Sequence, residues 1–226
     1  MKQVVLMPVA LPILMAVLAL ASAANPAAGE SNGSIVLFNG KDLSGWTDPQ
    51  GKAPGGSWVV ADGVMRLDKS KGGQWIDIWT ERRFGDFVLD LEFKTEGNSG
   101  IFVRTDKPAE CVQTGIEIQV ERPAKKPGRH TMGAFYGCLG PSKDPTKAGQ
   151  WNSAVITCQK NRLSVVLNGE KVLDADLDKW SEPGKNPDGT PNKFRAALKD
   201  FKREGHIGLQ DHGANVSYRN IRLKLL

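Results

Sequence analysis

Two short runs, Gly100-Ile101-Phe102-Val103-Arg104 and Gly115-Ile116-Glu117-Ile118-Gln119-Val120, carry a guanidinium, a carboxylate and a carboxamide in strand-like sequence. Side chains alternate between the two faces of a strand. Ile116, Ile118 and Val120 therefore share one face, and Glu117 and Gln119 the other; Ile101 and Val103 lie opposite Phe102 and Arg104. If the two runs are neighbours, one sheet face groups Arg104, Glu117 and Gln119. The turn-like Asn98-Ser99 sits at the entrance. Such a group can recognise a polar ligand. The same pattern also fits an ordinary half-exposed strand with a polar outer face.

A second constellation is His206-x-x-x-Gln210-Asp211-His212-Gly213. His206 and Gln210 share a strand face, and Asp211 is placed to orient an imidazole; a simple capped turn reads equally well. Six tryptophans, Trp46, Trp58, Trp75, Trp79, Trp151 and Trp180, offer either sugar-stacking surfaces or core packing. The chain has no G-x-S-x-G elbow, no phosphate-cradling glycine loop and no H-E-x-x-H. His130, His206 and His212 are scattered and no Cys-x-x-Cys occurs, so a transition-metal site has little support. A calcium site needs no fixed motif and stays open, as structural or catalytic metal.

The elements that must position these residues are strands. Residues 87–94 alternate clearly, with Phe87, Leu89, Leu91 and Phe93 on one side and Asp90, Glu92 and Lys94 on the other. Asp62-Gly63 between 58–61 and 64–67, and Asn168-Gly169 between 162–167 and 171–173, are two-residue hairpin turns. Further strands are expected at 35–38, 75–80, 134–137, 151–159, 206–210 and 216–225, the last with a bulge near Asn220. Residues 181–192 read as a long excursion, and 194–201 as one or two helical turns. A dozen or so short strands spaced by turns imply an all-β antiparallel sandwich.

The net charge of +5 comes from scattered residues. Only Lys125-Lys126 and Arg129 cluster, in a Pro/Gly-containing loop, so nucleic acid is not an expected partner. Lys2, the apolar run 4–20 and Ala21-Ser22-Ala23 together read as a secretory signal peptide, residues 1–23. Residues 24–226 then form a single domain, secreted or periplasmic and without membrane attachment after cleavage. Cys158 is in phase with Ala154 and Ile156 and reads as a buried thiol. Cys111 and Cys138 flank runs that can pair as a hairpin, which leaves a disulfide between them open in an oxidising compartment.

The ordered set of motifs resembles the family of 3-keto-disaccharide hydrolases. The matching pieces are Phe38-Asn39-Gly40-Lys41-Asp42-Leu43-Ser44-Gly45-Trp46, Gly85-Asp86-Phe87, Asn98 through Arg104, Gly115 through Gln119, Gln150-Trp151-Asn152, Leu167-Asn168-Gly169, Gly205 through Gly213 and Tyr218 through Arg222. The resemblance implies a concanavalin A-like (laminin-G-like) jelly roll with a ligand groove on its concave face. It also implies cleavage of glycosides whose sugar is oxidised to a ketone at carbon 3, supplied by an upstream sugar 3-dehydrogenase. On that basis Glu117 is expected as the base, with Asp211 and His212 as its catalytic companions. Arg104, Gln119, Asn98, Ser99, Gln210 and Tyr136 are the expected substrate-binding set. A non-catalytic carbohydrate-binding module on the same fold is the alternative.

Overall fold

The computed structural model describes residues 30–31, 33–68, 70 and 75–226. The expected signal peptide lies outside the described residues. In chain order the strands are β1 (Glu30–Ser31), β2 (Ser34–Val36), β3 (Trp46–Thr47), β4 (Trp58–Ala61), β5 (Val64–Leu67), β6 (Ile78–Thr80) and β7 (Phe87–Thr95). They continue as β8 (Ser99–Thr105), β9 (Ile116–Val120), β10 (Asn152–Gln159), β11 (Arg162–Leu167), β12 (Glu170–Asp176), β13 (His206–Leu209) and β14 (Val216–Leu225). One helical turn, α1 (Cys111–Thr114), links β8 to β9.

These strands form two antiparallel sheets. The larger runs β1-β2-β14-β7-β10-β11-β12, with the β4–β5 hairpin attached to β14 through β5; the smaller runs β3-β6-β13-β8-β9. The alternating residues of β7 are the reason they pack. Phe87, Leu89, Leu91 and Phe93 are fully buried, whereas Asp90 is exposed on the outer side. Ile101, Val103, Ile116, Ile118, Ile207 and Leu209 of the smaller sheet meet them in one apolar core. Burial of each such side chain contributes about 1.5–3 kcal/mol against chain entropy. The bulge expected in β14 is present: pairing with β7 shifts between Arg219 and Arg222, and Asn220 takes a φ of 55°.

Two expectations need correction, and a third, the helical turn within 194–201, is met at its lower bound. Residues 134–137 form no strand but a turn bridged to β9, with Ile118 opposite Phe135. The 194–201 segment holds one short 3-10 turn, Leu198–Asp200. Strand β9 is buried at every position rather than at alternate ones. The reason is the 131–139 segment, whose backbone runs against it: Gln119 donates to the Ala134 carbonyl, Gly133 to that of Gln119 and Tyr136 to that of Glu117. This covers an edge that would otherwise present unpaired backbone, and it shelters Glu117 and Gln119 from bulk water.

Candidate active site

The outward, concave face of the smaller sheet is floored by glycine. Register places Trp79, Gly208, Phe102 and Glu117 in one row across β6, β13, β8 and β9. In the next row Gly100 lies opposite Gln119, and Gln210 donates its backbone N–H to the Gly100 carbonyl. A Cβ on Gly208 would stand 2.3 Å from the Trp79 ring, and one on Gly100 would stand 2.9 Å from Glu117 Oε1. The missing side chains let the indole and the carboxylate lie down over the central strands. Trp79 and Phe102 pack with ring centroids 5.3 Å apart.

Two carboxylates share this face in unlike surroundings. Glu117 is buried and accepts a hydrogen bond from Lys193 Nζ at 3.0 Å. The same ammonium lies 4.7 Å from the centre of the Tyr136 ring. Lys193 is held by its backbone, since its carbonyl accepts from Gln113 Nε2 of α1 at 2.9 Å. The 181–192 excursion is stiffened upstream by Asn186, whose amide donates to the carbonyls of Gly137 and Pro191 and which accepts from Trp180 Nε1.

Asp77 immediately precedes β6. Its Oδ1 accepts the Asp211 backbone N–H at 2.9 Å, and Cys111 Sγ points at its Oδ2 from 3.9 Å. Burial pushes its carboxyl up to about 6, helped by the negative charges of Asp211 and Glu117 and opposed by the Asp211 amide and by His212. Burial also pushes the Cys111 thiol up to about 11, with Asp77 and Glu117 adding to the effect. Dissimilar environments for two carboxyls on one face are how proteins divide acid and base roles.

Four buried polar atoms near this floor have no protein partner: Gln119 Oε1, Gln210 Oε1, Asp211 Oδ2 and Trp79 Nε1. Buried polar groups are normally hydrogen-bonded. Three acceptors and one donor around a glycine floor match the hydroxyls of a saccharide. Among the described residues, no group of three or more His, Cys, Asp or Glu side chains is arranged to hold a metal ion.

A family model described as a 3-keto-alpha-glucoside-1,2-lyase-like domain matches residues 33–224. The chain belongs to that family. A curated relative from Bacteroides thetaiotaomicron, named 3-keto-disaccharide hydrolase, is 29% identical over 87% of this chain and 80% of its own length. A crystal structure from Parabacteroides distasonis, titled as a candidate glycosyl hydrolase, is 31% identical over 86% of this chain and all of that one, with a TM-score of 0.75. The lumenal domain of VIP36 shares the fold alone, at 13% identity over 86% of this chain and 88% of that one, TM-score 0.52.

Within this 3-keto-alpha-glucoside-1,2-lyase-like domain, the structure places Glu117, Gln119, Asn98, Gln210 and Tyr136 at or beside the floor. Gln119 Nε2 donates to Asn98 Oδ1 at 2.7 Å, which ties the rim to the sheet. Arg104 is elsewhere. Where β8 meets β13 the register slips, so that Val103 and Arg104 face the single residue Ile207, and Arg104 takes a φ of 51°. A bulge of this kind redirects a side chain. The guanidinium is buried at the end of the sandwich, donating to the carbonyls of Gly85 and Lys160 and to Asp86 Oδ1 at 2.7–2.9 Å. It is a structural strut.

Ser99 is also removed from the substrate set. It is fully buried, its Oγ donates to the Gln210 carbonyl at 2.7 Å and it shares a 2.8 Å hydrogen bond with Tyr218 Oη. Asp211 does not hold His212: its Oδ1 caps the Gly213 N–H at 3.0 Å, the plain turn reading, while its backbone serves Asp77. His212 is exposed and packs on Trp75, ring centroids 5.3 Å apart. His206 Nδ1 pairs with the Thr80 carbonyl at 2.7 Å. All three cysteines are free thiols, so the Cys111–Cys138 disulfide is absent.

Sequence reasoning missed Asp77 and Lys193. Asp77 did carry a signal, as a lone carboxylate in the apolar run Trp75-Ile76-Asp77-Ile78-Trp79. Lys193 carried none, because only the fold of the 181–192 excursion delivers it to Glu117.

Proposed function

We propose that this chain cleaves glycosides oxidised to a ketone at carbon 3, with Glu117 and Asp77 exchanging the protons. Family membership makes it a carbohydrate-cleaving enzyme, and on the oxidised sugar an acid–base pair of carboxyls can work by elimination. A ketone at carbon 3 acidifies the hydrogen on carbon 2. Glu117 takes that proton, the electron pair forms a carbon 1–carbon 2 double bond, and the carbon 1–oxygen bond to the leaving group breaks. Asp77, titrating near 6, gives its proton to the departing oxygen. Water then adds to carbon 1 as Asp77 takes back a proton, and Glu117 returns one to carbon 2. The sum is hydrolysis, so the lyase and hydrolase names found among the relatives describe one sequence of steps.

The remaining groups bind and polarise. Lys193, 3.0 Å from Glu117, supplies positive charge for the enolate oxygen that develops at carbon 3. Gln119, Gln210 and Trp79 offer their unpartnered atoms to the sugar hydroxyls. Asp211 positions Asp77 through its backbone N–H. The observation that carries this reading is the pairing, on one glycine-floored face, of a lysine-bound glutamate with an aspartate pushed up to about 6.

The test is incubation with 3-keto-trehalose and methyl 3-keto-glucoside, following release of free sugar. The wild type is expected to turn over both, and Glu117→Gln, which keeps shape without basicity, to lose about 10²–10⁴-fold. Saturable binding of unoxidised sugars with no turnover would favour a binding module. Full activity in Glu117→Gln would remove Glu117 from the mechanism. The reading places the enzyme outside the cytoplasm, downstream of an oxidoreductase acting on position 3 of the sugar. A mature N-terminus at Ala24 supports that placement, and a protein that keeps Met1 and stays in the cytoplasmic fraction contradicts it.

A further inference from the structure

Trp75 is the most exposed large apolar residue among those described, at 65%. Exposure of an indole costs hydrophobic free energy, and the local backbone is shaped to allow it. Gly213 has a φ of +70°, and a Cβ there would stand 2.8 Å from the Trp75 ring. Only glycine at this turn lets the indole lie flat across it, and Asp211 caps the turn from below. His212 packs against the same ring, the two planes tilted by 32°.

Beside this ring runs a groove of about 370 Å³, lined by Asn98, Glu121, Arg122, His212 and Asn215 among others. Its size falls in the range of about 300–1,000 Å³ typical of small-molecule sites. The groove borders the catalytic floor at Asn98, which accepts from Gln119, and borders the indole at His212 and Gly213. His212, on the groove wall, lies close enough to Asp77 for its charge to act on that carboxyl.

We propose that Trp75 and this groove form the subsite for the leaving sugar of a disaccharide, the indole stacking on one pyranose face while the polar wall takes the hydroxyls. This rests on the 3-keto-glycoside reading. The face of a pyranose carries axial C–H groups and is apolar, whereas its rim is all hydroxyl. A bare indole bordered by carboxamide, carboxylate and guanidinium groups complements both. A leaving group without a sugar ring, such as methoxide, leaves the platform unused.

The test compares Trp75→Ala and Trp75→Phe with the wild type on 3-keto-trehalose and methyl 3-keto-glucoside. Trp75→Ala is expected to lose about tenfold more kcat/KM on the disaccharide than on the methyl glycoside, the scale of one aromatic contact. Trp75→Phe is expected to recover most of that difference. An equal loss on both substrates, or no recovery with phenylalanine, overturns the subsite. Saturation-transfer NMR with unoxidised trehalose provides a readout free of turnover. Loss of ring-proton contact in Trp75→Ala supports the platform and unchanged contact refutes it, even if the wild type cleaves neither 3-keto substrate. That last result would instead defeat the 3-keto-glycoside reading.

Discussion

Replacing Asp77 with Asn should stabilise the fold while disabling the enzyme. Asn keeps an oxygen for the Asp211 N–H, now 2.9 Å away, and removes the charge that burial penalises. In the folded chain the carboxyl titrates near 6 against an ordinary 3.8. A raised carboxyl favours folding only while it is protonated. That stability is complete below about pH 4 and is lost as pH rises through about 6, at about 1.36 kcal/mol per pH unit. Above that window the wild type carries a burden of about 3 kcal/mol that the Asp77→Asn variant would not. Urea unfolding of both proteins across the window should show their stability difference growing from near zero at about pH 4 to about 3 kcal/mol at about pH 7. Activity should fall about 10²–10⁴-fold in the same variant, as expected where a function is built on a strained group. A stability difference that stays flat with pH would refute the placement of Asp77 as a buried, burdened acid.

Other expectations follow from the same geometry. Lys193→Met leaves the buried Glu117 carboxylate without its cation and should cost about 1–3 kcal/mol in chemical denaturation, together with most of the turnover. Arg104→Met removes a buried guanidinium holding three acceptors; it should lower stability by about 3–5 kcal/mol yet leave KM of the folded fraction unchanged, and a selective rise in KM would return Arg104 to the site. Gly208→Ala drives a methyl into the Trp79 ring and should cost about 1–3 kcal/mol or more by thermal melting, with reduced saccharide binding. Cys111, its thiol pushed up to about 11, should react slowly with iodoacetamide near neutral pH, and more slowly still when sugar occupies the floor.

Much of the framework was legible in the residues. The alternation of 87–94, the Asp62-Gly63 and Asn168-Gly169 turns and the bulge at Asn220 all reappear, because each is fixed by period or by a local φ requirement. The pairing of Glu117 and Gln119 on the concave face was legible for the same reason. Arg104 was not: extrapolating strict alternation through 101–104 ignores a bulge set by the approach of Gly205, where a Cβ would stand 2.4 Å from the Arg104 carbonyl carbon. Ser99 failed similarly, its hydroxyl drawn inward by Tyr218 from the opposite sheet. Lys193 and the covering 131–139 segment come from tertiary contacts across long sequence separations, which no local pattern encodes.

The central claim is that catalysis begins with loss of the carbon 2 proton to Glu117. Methyl 3-keto-glucoside deuterated at carbon 2 tests it most directly, with the label followed by NMR in the first product released into ordinary water. The account predicts slower turnover of the deuterated substrate, deuterium appearing in solvent, and neither effect in Glu117→Gln. Full retention of deuterium at carbon 2, with no change in rate, would mean direct displacement at carbon 1 and would contradict it.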